Sequence, residues 1–289
     1  MLFRRGRESE NVEDRRGQGA GGGSPGGRRG IGVGTLLLMV VAAYFGIDPR
    51  LVLTLLDAGS PPPVQTSTPA QKSSTNDPQS RFVSMVLADT EDSWTELFQR
   101  AGLRYEYPKL VLFSGMTPTT CGMGQSAMGP FYCPPDRKVY IDLGFYDDLK
   151  RRFGAPGDFA QAYVIAHEVG HHVQNLLGIA DKVSAAQRRM GRAQANQLSV
   201  RMELQADCFA GVWANNAHRA RQVLEQGDIE EGLRAASAIG DDQIQKRSQG
   251  YVVPESFTHG TSAQRVEWFK RGLSTGHMDA CDTFNTDRI

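Results

Sequence analysis

The spacing of apolar positions changes character along this chain. Ile31 to Ile47 (IGVGTLLLMVVAAYFGI) is an uncharged run of seventeen residues, at the short end of what spans a bilayer as a helix. Leu51 to Leu56 is apolar again after Asp48-Pro49-Arg50, so the span extends or continues at the interface. From residue 81 the pattern becomes that of a folded domain. Phe82, Met85, Val86, Leu97 and Phe98 mark a helix over Phe82–Ala101. Lys109–Phe113 (KLVLF) is a short strand. Gln125–Cys133 and Lys138–Asp142 are two extended runs around the turn signal Pro134-Pro135-Asp136-Arg137, which together predict a hairpin. Asp158 caps a helix that runs to about Leu177, with Gly178 past its end. A long helix follows over Ser184 to about Asn216, then one capped by Asp228 to about Ala238. Thr261-Ser262-Ala263-Gln264 reads as a capping box that opens a helix through Arg271. Few strands followed by many helices predict an α+β domain over 81–289.

Composition qualifies the flanks. The first thirty residues hold seven Arg, four acids and Gly-rich stretches, with little to bury, so a disordered basic leader is expected over 1–30. Residues 31–50 are then a transmembrane anchor, with a cleaved signal peptide as the rival reading. The arginine-rich side stays cytoplasmic, which carries everything after residue 50 across the membrane. Residues 51–80 are a linker, with five Pro and seven Ser or Thr over residues 61–80. Cys121, Cys133, Cys208 and Cys281 all lie beyond the anchor. An even count on the exported side predicts two disulfides, Cys121–Cys133 and Cys208–Cys281, against the alternative of buried free thiols. The 32 Lys and Arg balance 32 Asp and Glu, which gives no electrostatic reason to expect nucleic acid as a partner.

The candidate chemistry sits in the helix that begins near Asp158. His167-Glu168-Val169-Gly170-His171 reads H-E-x-x-H, which arises by chance in roughly one chain in a hundred of this length. Residues four apart share a helix face, so both imidazoles can hold one Zn²⁺ while Glu168 reaches a water beside it. Catalytic zinc sites usually have a third protein ligand. The H-E-x-x-H-x-x-G-x-x-H class is excluded, because Gln174 and Leu177 stand where it needs Gly and His. The alternative is a carboxylate from a second helix. Glu203 and Asp207 lie four apart beside Ala206, Cys208, Phe209, Ala210, Val212 and Trp213, an unusually apolar context. Glu203 is the expected third ligand, and Asp207 the acceptor that orients a ligating His. Asp207 itself, His259, His218 and His172 are competitors. His172 points roughly 100° away from His171 and is expected to be a packing residue. His218 and His277 carry no supporting context.

The segments HEVGHHVQ, ELQADCFAGVW, SFTHGTSAQR and GPFYCPPDRKVYID, with the basic leader and single apolar run, resemble the putative neutral zinc metallopeptidase family of bacterial membrane proteins. The resemblance covers nearly the whole chain. It implies a zincin-like metallopeptidase domain, mostly helical with a small sheet, one Zn²⁺ per chain, and a protein of the bacterial inner (plasma) membrane whose catalytic domain is periplasmic or otherwise extracytoplasmic. The pairing of HExGH with a later E-x-x-A-D is also similar to CAAX-type membrane zinc peptidases, which implies Glu203 as ligand and Asp207 as its neighbour in the site. Those enzymes carry Thr/Ser-His-Pro and a following Arg. The counterpart is Thr258-His259-Gly260 with Arg265, and Gly260 departs from the pattern. This implies His259 as an oxyanion donor and Arg265 as a site-ordering residue.

The implied reaction is peptide hydrolysis of a protein or peptide substrate, with Glu168 as general base. An extended substrate is expected against an edge formed by Gly124–Tyr132. The reading from a different class is a non-catalytic envelope protein with a structural zinc, which more often has four protein ligands.

Overall fold

The computed structural model describes Met1 and residues 6–17, 71–72 and 77–286. The expected anchor over 31–50 lies outside these residues. Among the described residues no helix is long and apolar enough to cross a membrane.

A five-stranded mixed sheet has the order β2-β1-β3-β7-β6, formed by β1 (Val12–Asp14), β2 (Gln71–Lys72), β3 (Lys109–Phe113), β6 (Phe131–Cys133) and β7 (Lys138–Asp142). β3 pairs in parallel with both β1 and β7. β4 (Met116–Thr119) and β5 (Gly122–Gln125) form a separate antiparallel hairpin. The continuous apolar run of β3 is explained by burial on both faces. Leu110 and Leu112 join the main core, whereas Val111 and Phe113 pack with Cys133 and Tyr140 on the other side.

The helices are α1 (Pro78–Arg100), α2 (Gly144–Arg151), α3 (Asp158–Leu176), α4 (Ile179–Gln187), α5 (Arg192–Arg221), α6 (Asp228–Ala238), α7 (Asp241–Gln249) and α8 (Ser262–Thr275). The molecule is thus mostly helical with a small sheet, as an α+β zincin-like domain requires. Helix α3 runs through the centre, with Phe159, Ala160, Ala162, Ile165, Ala166, Val169 and Val173 fully buried. Each large apolar side chain buried this way contributes roughly 1.5–3 kcal/mol. Helix α5 packs beside α3 and α8 beside α5 at very short range. A Cβ on Gly272 would lie 1.9 Å from the Cys208 carbonyl oxygen, and one on Gly211 2.1 Å from that of Phe269.

Several expectations are corrected here. Part of the leader is folded: residues 12–14 are a strand of the central sheet, and Val12 is buried. Several of its described charges are paired. Arg7 bonds Glu91 and Asp92, Lys138 bonds Glu13, and Arg16 bonds Asp14 and Asp77. The domain therefore does not begin at residue 81; β1 and β2 belong to it, and α1 starts at Pro78 with Asp77 accepting the Gln79 N–H. Gln125–Cys133 is not one extended run. A single 3₁₀ turn at Ser126–Met128 and Gly129, at φ 78°, separate β5 from β6. The hairpin of β6 and β7 forms around Pro134–Asp136 as expected. The helix over Ser184–Asn216 is two helices, broken at residues 188–191 where Gly191 caps α5. Gly157 is the N-cap of α3, and Asp158 is its first residue, where its charge favours the helix N-terminus. The capping box at Thr261 and Gln264 is present as read. Both predicted disulfides are present and no described cysteine is free.

Candidate metal centre

Helix α3 presents His167 and His171 one turn apart, and α5 brings Glu203 against them. His167 Nε2 lies 3.1 Å from one Glu203 oxygen and His171 Nε2 lies 3.4 Å from the other. One donor atom from each of the three residues lies within 4.8 Å of the others. The approach of the two helices depends on the fourth residue of the motif. A Cβ on Gly170 would sit 2.9 Å from the Ala206 carbonyl oxygen and 3.1 Å from its Cα, so Gly lets the backbones touch here.

The other ring nitrogens are committed. His167 Nδ1 bonds Asp207 at 2.9 Å and His171 Nδ1 bonds the Gln174 side-chain oxygen at 2.9 Å. The Gln174 amide is held in that orientation because its nitrogen donates to the Met202 carbonyl (2.7 Å) and to Gln205 Oε1 (3.1 Å). Both Nδ1 atoms therefore donate, so it is the two Nε2 atoms, facing the Glu203 carboxylate, that can exchange a proton for a metal ion. Two imidazole nitrogens and one carboxylate oxygen in this disposition fit zinc.

Asp207 is the hub behind the site. It accepts from the Tyr163 hydroxyl, from His167, and from Arg265 Nε at 2.8 Å and Nη2 at 3.0 Å. Both Asp207 and Arg265 are buried. Burial pushes the Asp207 carboxyl up, but Arg265 and His167 outweigh it and hold it below its ordinary value. Burial likewise raises Glu203, and the two imidazoles override it and hold Glu203 well below the carboxylate range. The same attraction acts on His167. Burial lowers it, while Asp207 and Glu203 raise it to about 10. A donor set that holds a proton this strongly also attracts a dication, which competes for the same nitrogens. Glu168 is nearly buried beside this centre, and burial raises its carboxyl above the ordinary value.

These groups form one wall of a cleft of about 760 Å³. His167, Glu168, His171, Glu203, His259 and Arg265 line it together with Met128, Phe131, Tyr132, Phe145, Phe153, Val164, Ile239 and Ile244. His259 is half-exposed there. Its Nδ1 contacts Thr258 Oγ1 (3.1 Å) and Asp241 (3.2 Å). Asp241 also accepts the backbone N–H groups of Thr258, His259 and Gly260. Gly260 has φ 88°, which a proline ring cannot adopt, so the change from the Thr/Ser-His-Pro pattern goes with a different turn.

The structure thus brings together every expected site residue: His167, Glu168, His171, Glu203, Asp207, His259 and Arg265. His172 faces away, between Tyr105 and Tyr132. His218 caps the end of α5 by accepting the Leu224 N–H. Sequence reasoning passed over Tyr163, Gln174 and Asp241. Tyr163 precedes His167 by four and Gln174 follows His171 by three, so the helical spacing that found the histidines also points to them. Asp241 reaches His259 from 18 residues away and leaves no local signal.

The fold and the site define a two-helix His-His-Glu centre in a zincin-like α+β domain. The sequence matches the family described as putative neutral zinc metallopeptidase over residues 1–284, and the chain belongs to that family. It is similar to the uncharacterized protein YpfJ of Escherichia coli K12, 56% identical over 283 residues and covering 96% of each chain. It is also similar to the uncharacterized protein Rv2575 of Mycobacterium tuberculosis H37Rv, 40% identical over 254 residues, 84% of this chain and 85% of that one. No solved structure matches it.

Proposed function

We propose that this protein is a zinc-dependent endopeptidase acting outside the cytoplasm on apolar stretches of polypeptide. The observation that carries the reading is the convergence of His167, His171 and Glu203 with Glu168 beside them, at the wall of an open cleft. Zinc bound there would supply Lewis acidity and bring the pKa of a water towards about 7. Glu168 takes the water proton on its carboxylate and returns it to the leaving amine. Its raised pKa suits both steps. His259, steadied by Asp241, donates towards the oxygen of the scissile carbonyl. Arg265 and Tyr163 hold Asp207 and so keep His167 in one tautomer.

The cleft supports the substrate class. Phe145, Phe153, Ile239 and Ile244 offer apolar walls. Its cations are already engaged, Arg265 with Asp207 and Arg152 with Asp148. No described lining cation is left to grip a carboxyl terminus, which argues against a carboxypeptidase. β6 is the edge of the sheet beside the cleft, and Phe131 and Tyr132 line it, so a substrate added to this edge gains main-chain hydrogen bonds. Two disulfides support an oxidising compartment, and the apolar run at 31–47 supports attachment to a membrane.

The test is cleavage of end-blocked, internally quenched peptides by the zinc-loaded full chain. Apolar residues at the scissile bond should be preferred, and Glu168→Gln should abolish turnover while retaining zinc. Turnover undiminished in that variant would overturn the reading.

A further inference from the structure

We propose that the N-terminal strand and the metal centre lie on the same side of the membrane. The described residues that flank the apolar run, 17 and 71, then lie on that one side. This inference does not depend on the peptidase reading.

The argument starts at an interior carboxylate. Glu91, on α1, is fully buried. Its side-chain partners are Arg7 Nη2 at 2.9 Å, Ser9 Oγ at 2.5 Å and Asn11 Nδ2 at 2.7 Å, all from the leader. Removing the leader strands a charge in the core, which is strongly unfavourable. The backbone agrees. The Ser9 N–H donates to Ser84 O, Leu110 N–H to Asn11 O, and Arg15 N–H to Leu112 O at 2.7 Å. Val12, Glu13 and Asp14 stand in register with Leu110, Val111 and Leu112 of the central strand. β1 is therefore an integral strand of the domain that carries the metal centre.

The return point closes the argument. β2 runs antiparallel to β1, with Asp14 opposite Gln71 and Glu13 opposite Lys72. Neighbouring strands are about 4.8 Å apart, whereas a single crossing would separate residues 17 and 71 by a hydrocarbon layer of about 30 Å. The number of crossings between them is zero or even. Two helical spans need about 20 apolar residues each. The sequence offers Ile31–Ile47 and then only Leu51–Leu56 after Asp48-Pro49-Arg50, too few to return across. The basic leader does not mark the opposite side.

The test uses the full chain in its own membrane. All native cysteines are paired, so Glu10→Cys and Gln249→Cys, both at exposed positions, each introduce one free thiol. A membrane-impermeant maleimide is applied to intact and to lysed spheroplasts. Both positions should react under the same condition. Labelling of one in intact spheroplasts and of the other only after lysis would overturn the inference. If both react only after lysis, the inference stands and the extracytoplasmic reading falls. Val12→Asp supplies a second readout on the detergent-extracted chain. Its melting temperature should drop by about 5 °C or more. An unchanged melting temperature means β1 is not part of the domain, and the inference fails.

Discussion

Helix α3 carries three imidazoles on two faces. On one face His167 and His171 meet Glu203 and Asp207, and these carboxylates outweigh burial so that both rings favour a positive charge. On the other face His172 sits among Tyr105, Tyr132 and the Glu106 carbonyl, and burial lowers it to about 4. His171 and His172 are neighbours in sequence, yet one is poised for a cation and the other is held neutral. Residue type decides little here. The charge that the facing element brings decides which imidazole can be a ligand.

The comparison breaks most severely at its carboxylates. Glu203→Ala should remove zinc and cleavage together, with affinity falling by more than the roughly 10–100-fold typical of an outer partner. Elemental analysis of the purified chain checks this, and full zinc occupancy would remove Glu203 from the ligand set. Asp207→Asn should weaken zinc by roughly 10–100-fold. It also leaves Arg265 buried without its anion, at a cost of about 3 kcal/mol or more, to be read from denaturant unfolding. His172→Gln sharpens the contrast from the other face. Zinc content should not change, while stability should fall by about 1–3 kcal/mol because Tyr132 and the Glu106 carbonyl lose their partner. Zinc lost from that variant would show that the two faces are not independent.

The smallest effect concerns pH. Asp241 holds His259 above its ordinary value of 6.5, so from this side the ion pair is complete below about 6.5 and fades as pH rises through the raised value. Burial raises Asp241, but its bonds to His259 outweigh that and hold it below 3.8. From its side the pair is complete above about 3.8 and fades as pH falls through the lowered value. Asp241→Asn should therefore move the alkaline limb of the kcat/KM profile to lower pH, with a loss of less than about tenfold near pH 6. An unmoved limb would detach Asp241 from His259.

How much of this was legible follows the range over which each signal acts. The two histidines and Glu168 are a local repeat on one helix, and Glu203 with Asp207 is a second, so both could be read from spacing and apolar context. Arg265 and the oxyanion role of His259 came only through resemblance, because nothing around them locally states that they face α3; His259 was otherwise only one competitor for the third ligand. The helices with clear caps, such as Ser262–Thr275, were foreseen. The break between α4 and α5 was not, since Gly191 sits in an otherwise good helical sequence. β1 was illegible for a stronger reason. Its segment has few apolar residues, and the cohesion lies in Glu91 and Ser84 on a helix, 75 to 84 residues from their partners. Composition measures what a segment can bury, not which distant charges await it.

One detail of the C-terminal segment bears on the order of assembly. The Cys281 carbonyl accepts from Gln205, Gln205 accepts from Gln174, and Gln174 accepts from His171. Cys281 is also tied to Cys208, the residue after Asp207. A nascent chain stopped before residue 281 would contain the whole H-E-x-x-H helix and still lack the last link that steadies its second histidine. The protein thus has a built-in sequence in time: its metal centre is steadied by a residue made after both helices that hold it.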